Sequence, residues 1–294
     1  MPEWIFTERR RKVKEQWKTT LSKAALEIRK GALLAVYSGQ SGHPGGSLSI
    51  ADVLAYLYGK EMHVDSANPK QQDRDRLVLS KGHCAPALYA ALALKGYFPK
   101  DELKMFRRWG GMLQGHPDMK GTPGVDMTTG SLGQGISAAC GMALSAKISK
   151  KGYRVYAILG DGELEEGEVW EAAMFAAQYK LDNLVAYVDN NGLQIDGKIT
   201  DVMSPLPIAE KFSAFNWHVT EIDGHDFDQI EAAYEEAKKV KGRPSVIIAH
   251  SVKGKGVSFM ENQAEWHGSA PNDEQYALAI KELDTALVNI GVEP

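Results

Sequence analysis

The sequence predicts an α/β fold, a mostly parallel sheet with helices on both faces, and three observations carry that expectation. First, short apolar runs alternate with helix-length periodic segments through the second half: strand 154–159, helix 169–179, strand 184–188, strand 217–222, helix 227–240 and strand 245–249. Second, 29 of the 294 residues are glycine, about 10% against roughly 7% in average usage, a surplus that points to many turns or to ligand sites lined by backbone. Third, no internal repeat, low-complexity tract or proline-rich linker divides the chain. One α/β domain over residues 15–294, preceded by a basic extension at 1–14, is the simplest organisation.

In chain order, Arg9, Arg10, Arg11, Lys12 and Lys14 form the one basic cluster, which reads as a solvated helix start rather than a targeting segment because no apolar stretch follows it. Leu21, Ala25, Ile28, Ala32 and Val36 then repeat on one face of a helix over 15–38 that stops at Gly39. A glycine-rich loop spans 38–47, and a second helix is predicted over 49–58. Leu77-Val78-Leu79 reads as a buried strand, followed by a Gly82-His83 loop and a helix over 86–94. Residues 109–135 are dense in Gly, Thr and Pro, and long irregular segments in compact domains tend to be functional.

Composition excludes several classes. With a formal net charge of −4 and no basic face, nucleic acid is not the expected partner. No apolar run is long enough to enter a membrane. Cys84 and Cys140 are the only cysteines, too few for a disulfide framework and without zinc spacing, so a reducing cytoplasm is expected.

The densest chemistry lies between Gly160 and Gly197. In Ile158-Leu159-Gly160-Asp161-Gly162-Glu163 a strand ends in a glycine turn before a helix, a place that favours anions. Parallel βαβ strands bring their carboxyl ends side by side, so Asp161 should meet Asp189-Asn190-Asn191 at the end of the next strand. A carboxylate and an amide oxygen thirty positions apart are hard donors suited to Mg²⁺ or Ca²⁺. The bland readings are a helix cap for Asp161 and a simple turn for Asn190-Asn191-Gly192. Gly192 to Lys198 nearly spells a P-loop, but Ile199 replaces the metal-binding Ser/Thr, and Pro205 and Pro207 oppose an immediate long helix. Four of the eight histidines, His43, His83, His116 and His267, sit in glycine-flanked irregular segments. Imidazole can relay protons near neutrality.

These segments resemble the transketolase family. Gly160-Asp161-Gly162 with Asn191-Gly192 is similar to the thiamine diphosphate motif. Ser41-Gly-His-Pro-Gly-Gly46, Asp75 to Tyr89, Gly115-His-Pro117, Thr129 to Gly135 and Trp266-His-Gly268 follow in the family's order and cover nearly the whole chain from about residue 15. The resemblance implies a thiamine-diphosphate-binding fold with Mg²⁺ as the metal, Ca²⁺ or Mn²⁺ being alternatives. Asp161, Asn191 and the Leu193 carbonyl would be its ligands. It implies catalytic roles for His43, His116 and His267, and cofactor contacts from His83, Gly130, Ser131, Leu132, Asp161, Gly162, Glu166, Asn191 and His267. Ser131 stands where many members have proline. Glu166 and Glu171 resemble interface glutamates that link two cofactors, while Glu163, Glu165 and Glu168 read as ordinary acids at a helix N-terminus. Lys81 and Lys253 are either diphosphate neighbours or solvated lysines, and His63, His218, His225 and His250 match no motif.

The implied activity is transfer of a two-carbon ketol group from a ketose phosphate to an aldose phosphate, as in the pentose phosphate pathway. The pyrimidine-binding domain that carries the family's activating glutamate has no counterpart in these 294 residues. The expectation is therefore an N-terminal subunit paired with a C-terminal transketolase subunit, in an α2β2 assembly. Competing readings are deoxyxylulose-phosphate synthase, a 2-oxo acid dehydrogenase alpha subunit, or a non-catalytic remnant.

Overall fold

Helix α1 (Glu3–Gly39) contributes to the core on one face of a five-stranded parallel sheet. The computed structural model describes residues 3–290, with side chains from residue 15 onward. The backbone of α1 runs through the segment read as a basic extension; the side chains that define that extension lie outside the described residues.

Short helices α2 (Pro44–Ser49) and α3 (Ala51–Tyr56) occupy the region predicted as one helix, divided at Ile50. Strand β1 (Arg76–Leu79) leads through a tight turn to α4 (Ala85–Lys95), which stops where Gly96 turns left-handed, φ 92. An irregular run then reaches α5 (Gln134–Ile148), strand β2 (Val155–Gly160), α6 (Gly167–Gln178) and strand β3 (Leu184–Asn190). A small hairpin of β4 (Leu193–Gln194) and β5 (Gly197–Lys198) follows, with α7 (Ile199–Val202) and α8 (Ile208–Ala214). Strand β6 (His218–Asp223), α9 (Phe227–Lys239), strand β7 (Ser245–His250) and α10 (Asp273–Asn289) complete the chain order.

The sheet order is β1-β2-β3-β7-β6, every pairing parallel. Period-two alternation divides the strand side chains between two cores. Leu77, Tyr156, Ile158, Tyr187 and Ile247 pack with α1, α3, α4 and α9. Val78, Ala157, Leu159, Ala186 and Ile248 pack with α5, α6 and α8 on the opposite face. The α/β expectation, with helices on both faces, holds.

Periodicity does not predict α5. Apart from Ile136 its buried residues, Gly135, Ala139, Cys140, Ala143 and Ala146, are small, and alanines and glycines recur around the helix, so no apolar stripe stands out. Among the described residues no helix is long and apolar enough to cross a membrane.

Candidate active site

The register of the sheet assembles the site. Gly160 pairs with Asp189 and Asn190 with His250, so the loops after β1, β2, β3 and β7 open at one edge. They enclose a cavity of ≈ 290 Å³ walled in part by the backbone of Gly46, Gly130, Gly160 and Gly162. Gly46 is required by space: a Cβ there would lie 2.7 Å from Cys84 Sγ and 3.3 Å from Lys81 Nζ.

At one end Asp161, Asn191 and Leu193 come together. Asp161 is 2% exposed; it accepts Gly162 N–H at 2.9 Å and Gly192 N–H at 2.5 Å, so the two strand-end loops are joined through one carboxylate. Burial, then the nearby Asp189 carboxylate, push its pKa up to about 6. Asn191 donates its amide N–H to Asp189 Oδ2 at 2.9 Å, which fixes the orientation of its oxygen, and that oxygen accepts Leu193 N–H at 3.1 Å. The Leu193 carbonyl already faces a cation, accepting from Lys253 Nζ at 3.1 Å. All three oxygens keep acceptor capacity beyond these bonds. One carboxylate and two neutral oxygens make a hard donor set that leaves room for ligand oxygens, which fits a divalent cation holding a diphosphate. Among the described residues no group of three or more His, Cys, Asp or Glu side chains forms a metal cluster.

Two buried carboxylates that sequence reasoning missed organise this end. Asp189, fully buried, accepts from Lys81, Ser251 and Asn191, and from Ser49 Oγ at 2.6 Å. Burial would raise its pKa, but the Lys81 ammonium and the hydroxyls outweigh burial and hold it below the usual carboxylate range. Glu163, read as an ordinary helix-start acid, is 2% exposed and accepts from Ser80 Oγ, Gly133 N–H at 3.0 Å and Gly160 N–H at 3.1 Å. Lys81 is the ion-pair partner of Asp189 and is not solvated. Lys253 is 2% exposed and has no carboxylate partner among the described residues; burial, then Lys81, lower its pKa to about 8.

Three of the four glycine-flanked histidines, His43, His83 and His267, line the other end, and His116 lies beside them. Ring centroids separate His43 from His83 by 5.2 Å, from His267 by 5.4 Å and from His116 by 6.4 Å. His83 and His267 stack at 5.1 Å. His43 holds the N-cap position of α2, and its buried Nδ1 has no protein partner. His267 Nδ1 lies 3.0 Å from Lys253 Nζ, which links the two ends of the cavity. Burial, then Arg107, lower the His43 pKa to about 4; burial, then Lys253, lower that of His267 to about 3. His83 and His116 shift the same way for the same leading reason. All four are neutral at physiological pH and present ring nitrogens able to accept protons.

The remaining predicted residues are placed differently. Gly130, Leu132 and Gly162 line the cavity, although the Gly162 N–H is engaged by Asp161. His116 stands behind Gly130, against which an added Cβ would approach its Cδ2 to 3.0 Å. Ser131 is exposed and outside the cavity lining. Glu166, at the N-cap of α6, and Glu171 within it are exposed. The near-P-loop from Gly192 is the β4–β5 hairpin, with Leu193 paired to Lys198 across an antiparallel turn.

A family model described as transketolase, thiamine diphosphate binding domain, matches residues 20–286. The chain belongs to the transketolase family. It is similar to a protein of Clostridium sp. (strain MSTE9) named 6-deoxy-6-sulfo-D-fructose transketolase subunit SqwG, at 51% identity over 87% of this chain and 94% of that one. It is 41% identical to an apulose-4-phosphate transketolase subunit from Phocaeicola vulgatus, over 93% of this chain and 97% of that one. Human transketolase is 43% identical over 84% of this chain but only 39% of its own length. A solved transketolase from Pichia stipitis superposes with a TM-score of 0.86 at 33% identity, over 92% of this chain and 41% of that one. The chain thus spans about two fifths of single-chain transketolases and nearly all of the relatives named as subunits. It is the N-terminal, thiamine-diphosphate-binding part of a transketolase, an enzyme subunit of that family. The synthase and dehydrogenase readings fall to the family match.

Proposed function

We propose that this transketolase subunit works with a second polypeptide to move a two-carbon ketol group between a ketose phosphate and an aldose phosphate, with the cavity at the strand ends as its half of the site. The observation that carries this reading is the joining of two chemistries in one cavity, hard oxygens at one end and the neutral imidazoles of His43, His83 and His267 at the other, with His116 behind Gly130 beside them. Thiamine diphosphate, when bound, supplies the nucleophilic carbon that takes up and releases the ketol group. Asp161, Asn191 and the Leu193 carbonyl would hold Mg²⁺, or Ca²⁺ or Mn²⁺ in its place, against the diphosphate. Lys253, lacking a carboxylate, is placed to answer the remaining negative charge.

The histidines act on the sugar. Ketol transfer needs protons removed from and returned to hydroxyl groups, and His43, His116 and His267, neutral and clustered, are placed to do both. His83, Gly130 and Leu132 shape the wall near the cofactor rings. Glu166 acts, on this reading, across an assembly interface, since it is exposed on the helix that also exposes Met174 and Phe175. Apolar side chains left to water on that helix support a contact surface there, as the α2β2 arrangement requires. The two buried free thiols suit a reducing cytoplasm.

The relatives named as subunits that the chain covers almost fully support the two-chain form. The substrate is read generically as a sugar carrying a distal anion, and the 51% identical relative is named for a sulfonated fructose. The test is to purify the chain alone and with its pyrimidine-domain partner, then measure transfer from xylulose 5-phosphate and from 6-deoxy-6-sulfo-D-fructose to an aldose phosphate. Activity is expected only in the complex. Transfer by the isolated chain would refute the two-chain reading, and a complex inert with every ketose would refute the enzymatic one. Replacing His43 or His267 in the complex separates catalyst from remnant, since turnover should fall while cofactor stays bound.

A further inference from the structure

His225 matches no motif and lies outside the cavity, in the turn between β6 and α9, yet its side chain is only 13% exposed. Its Nδ1 lies 2.7 Å from Asp52 Oδ2, and its Nε2 accepts the Val252 N–H at 2.9 Å. A ring nitrogen that accepts a backbone N–H carries no proton, so Nδ1 is the donor and Asp52 sets the tautomer. Asp52 is itself fixed by Arg29, whose two terminal nitrogens reach its two oxygens while Nε donates to the Leu48 carbonyl at 3.2 Å. Both residues are buried, Arg29 4% and Asp52 6% exposed. The chain of bonds therefore runs from α1 through α3 to a single amide in the loop after β7.

That loop is fastened at each successive residue. Ser251 reaches Asp189, Val252 is held by His225, Lys253 reaches Leu193 and His267, and Gly254 N–H donates to the Gly45 carbonyl at 2.9 Å. Val252 is the one of the four whose fastening leads out of the site into the protein core. We propose that His225 is a positioning residue: as the neutral Nδ1–H tautomer imposed by Asp52, it holds the Val252 amide and so sets where Lys253 enters the cavity. Buried carboxylate–imidazole pairs orient groups in this way around many ligand sites. The inference rests on reading the cavity as the diphosphate site.

Two substitutions divide the bonds. His225→Asn keeps a donor toward Asp52 and has no acceptor at the Nε2 position; His225→Gln extends an amide oxygen toward Val252. Amide hydrogen exchange at Val252 and Lys253 is measured on the full chain without cofactor, and thiamine diphosphate affinity with Mg²⁺ by calorimetry on the complex with its pyrimidine-domain partner. His225→Asn should speed exchange and weaken affinity by about tenfold each, and His225→Gln should return both to within about threefold of the parent. Unchanged exchange in His225→Asn overturns the proposal. So does faster exchange with affinity unchanged, or a His225→Gln variant as weak as His225→Asn. If the parent complex binds no cofactor, the reading of the cavity fails, and the exchange comparison still decides whether His225 holds the loop.

Discussion

Asp161→Asn separates what the carboxylate does for a metal from what it costs the fold. The side chain keeps its shape and loses its charge. Ionised Asp161 is an unfavourable group in the metal-free chain, because burial and the Asp189 carboxylate raise its pKa from 3.8 to about 6. That rise corresponds to about 3 kcal/mol against the folded state at neutral pH. The folded chain holds this proton longer than the unfolded chain, so the stability the group contributes is full below 3.8 and is lost as pH rises through about 6. Asparagine escapes that loss, but it can accept only one of the two glycine N–H bonds well and turns its own NH₂ toward the other, a penalty of about 1–3 kcal/mol. The net expectation is a gain of about 0–2 kcal/mol at about pH 8 and a loss at about pH 5, where the parent carboxyl is largely protonated. With thiamine diphosphate and Mg²⁺ at about a hundredfold over the dissociation constant, the parent should gain about 2.7 kcal/mol, and the variant, lacking its one anionic metal ligand, little of it. Thermal unfolding at both pH values, with and without cofactor and metal, reads all four states. Equal stabilisation of variant and parent by the cofactor would refute the metal assignment, and a variant penalty independent of pH would refute the electrostatic argument.

Glu163→Ala should cost about 2–4 kcal/mol in denaturant unfolding, because it strands the buried Gly133 and Gly160 N–H groups; a loss below about 1 kcal/mol would show that the carboxylate is a bystander. His43 and His267, lowered from 6.5 to about 4 and about 3, contribute stability that is present above 6.5 and lost as pH falls toward those values. Their ring resonances should therefore show no protonation at about pH 5.5, where an unperturbed imidazole is mostly charged. Gly130→Ala forces a Cβ into a position with φ 149 and 3.0 Å from His116 Cδ2. The chain should still fold, while turnover in the reconstituted complex falls by about 10²-fold through displacement of His116.

The parts of the fold legible in the sequence are those whose burial is one-sided or complete. Strands β2, β3 and β7 are unbroken apolar runs, and α9 has a clean apolar face; each falls within a few residues of its predicted span. Helix α5 was not legible because beyond Ile136 its buried positions are a glycine, alanines and a cysteine, which leave no large-residue stripe. Helix α8 follows two prolines that argue against a long helix, and the structure obeys that restriction with a seven-residue helix starting just after Pro207. The site residues divide along a similar line. Asp161, Asn191 and the four histidines sit in glycine-flanked turns where backbone must approach a ligand, and that local signature survives in sequence.

Asp189 and Glu163 had no such signature, and the reason is physical. Their role is defined by donors that come from far along the chain: Ser49 is 140 positions from Asp189, Lys81 is 108, and Ser80 is 83 from Glu163. A carboxylate closing an apolar strand, such as Asp189 after Leu184–Val188, is a usable hint, since a charge next to a fully buried run must find partners or leave the sheet. Identifying those partners requires the fold. Once the partners are known, the two acids cease to be spare charges. Glu163 pins the turns at Gly133 and Gly160, Asp189 pins Lys81, Ser251 and Asn191, and each converts loops from different strands into one wall. The oxygens of Asp161 and Asn191, the proposed metal ligands, are thus held in place without any metal. A preformed site loses less on binding than one that must order its loops, and here the order is supplied by carboxylates that no ligand needs to touch.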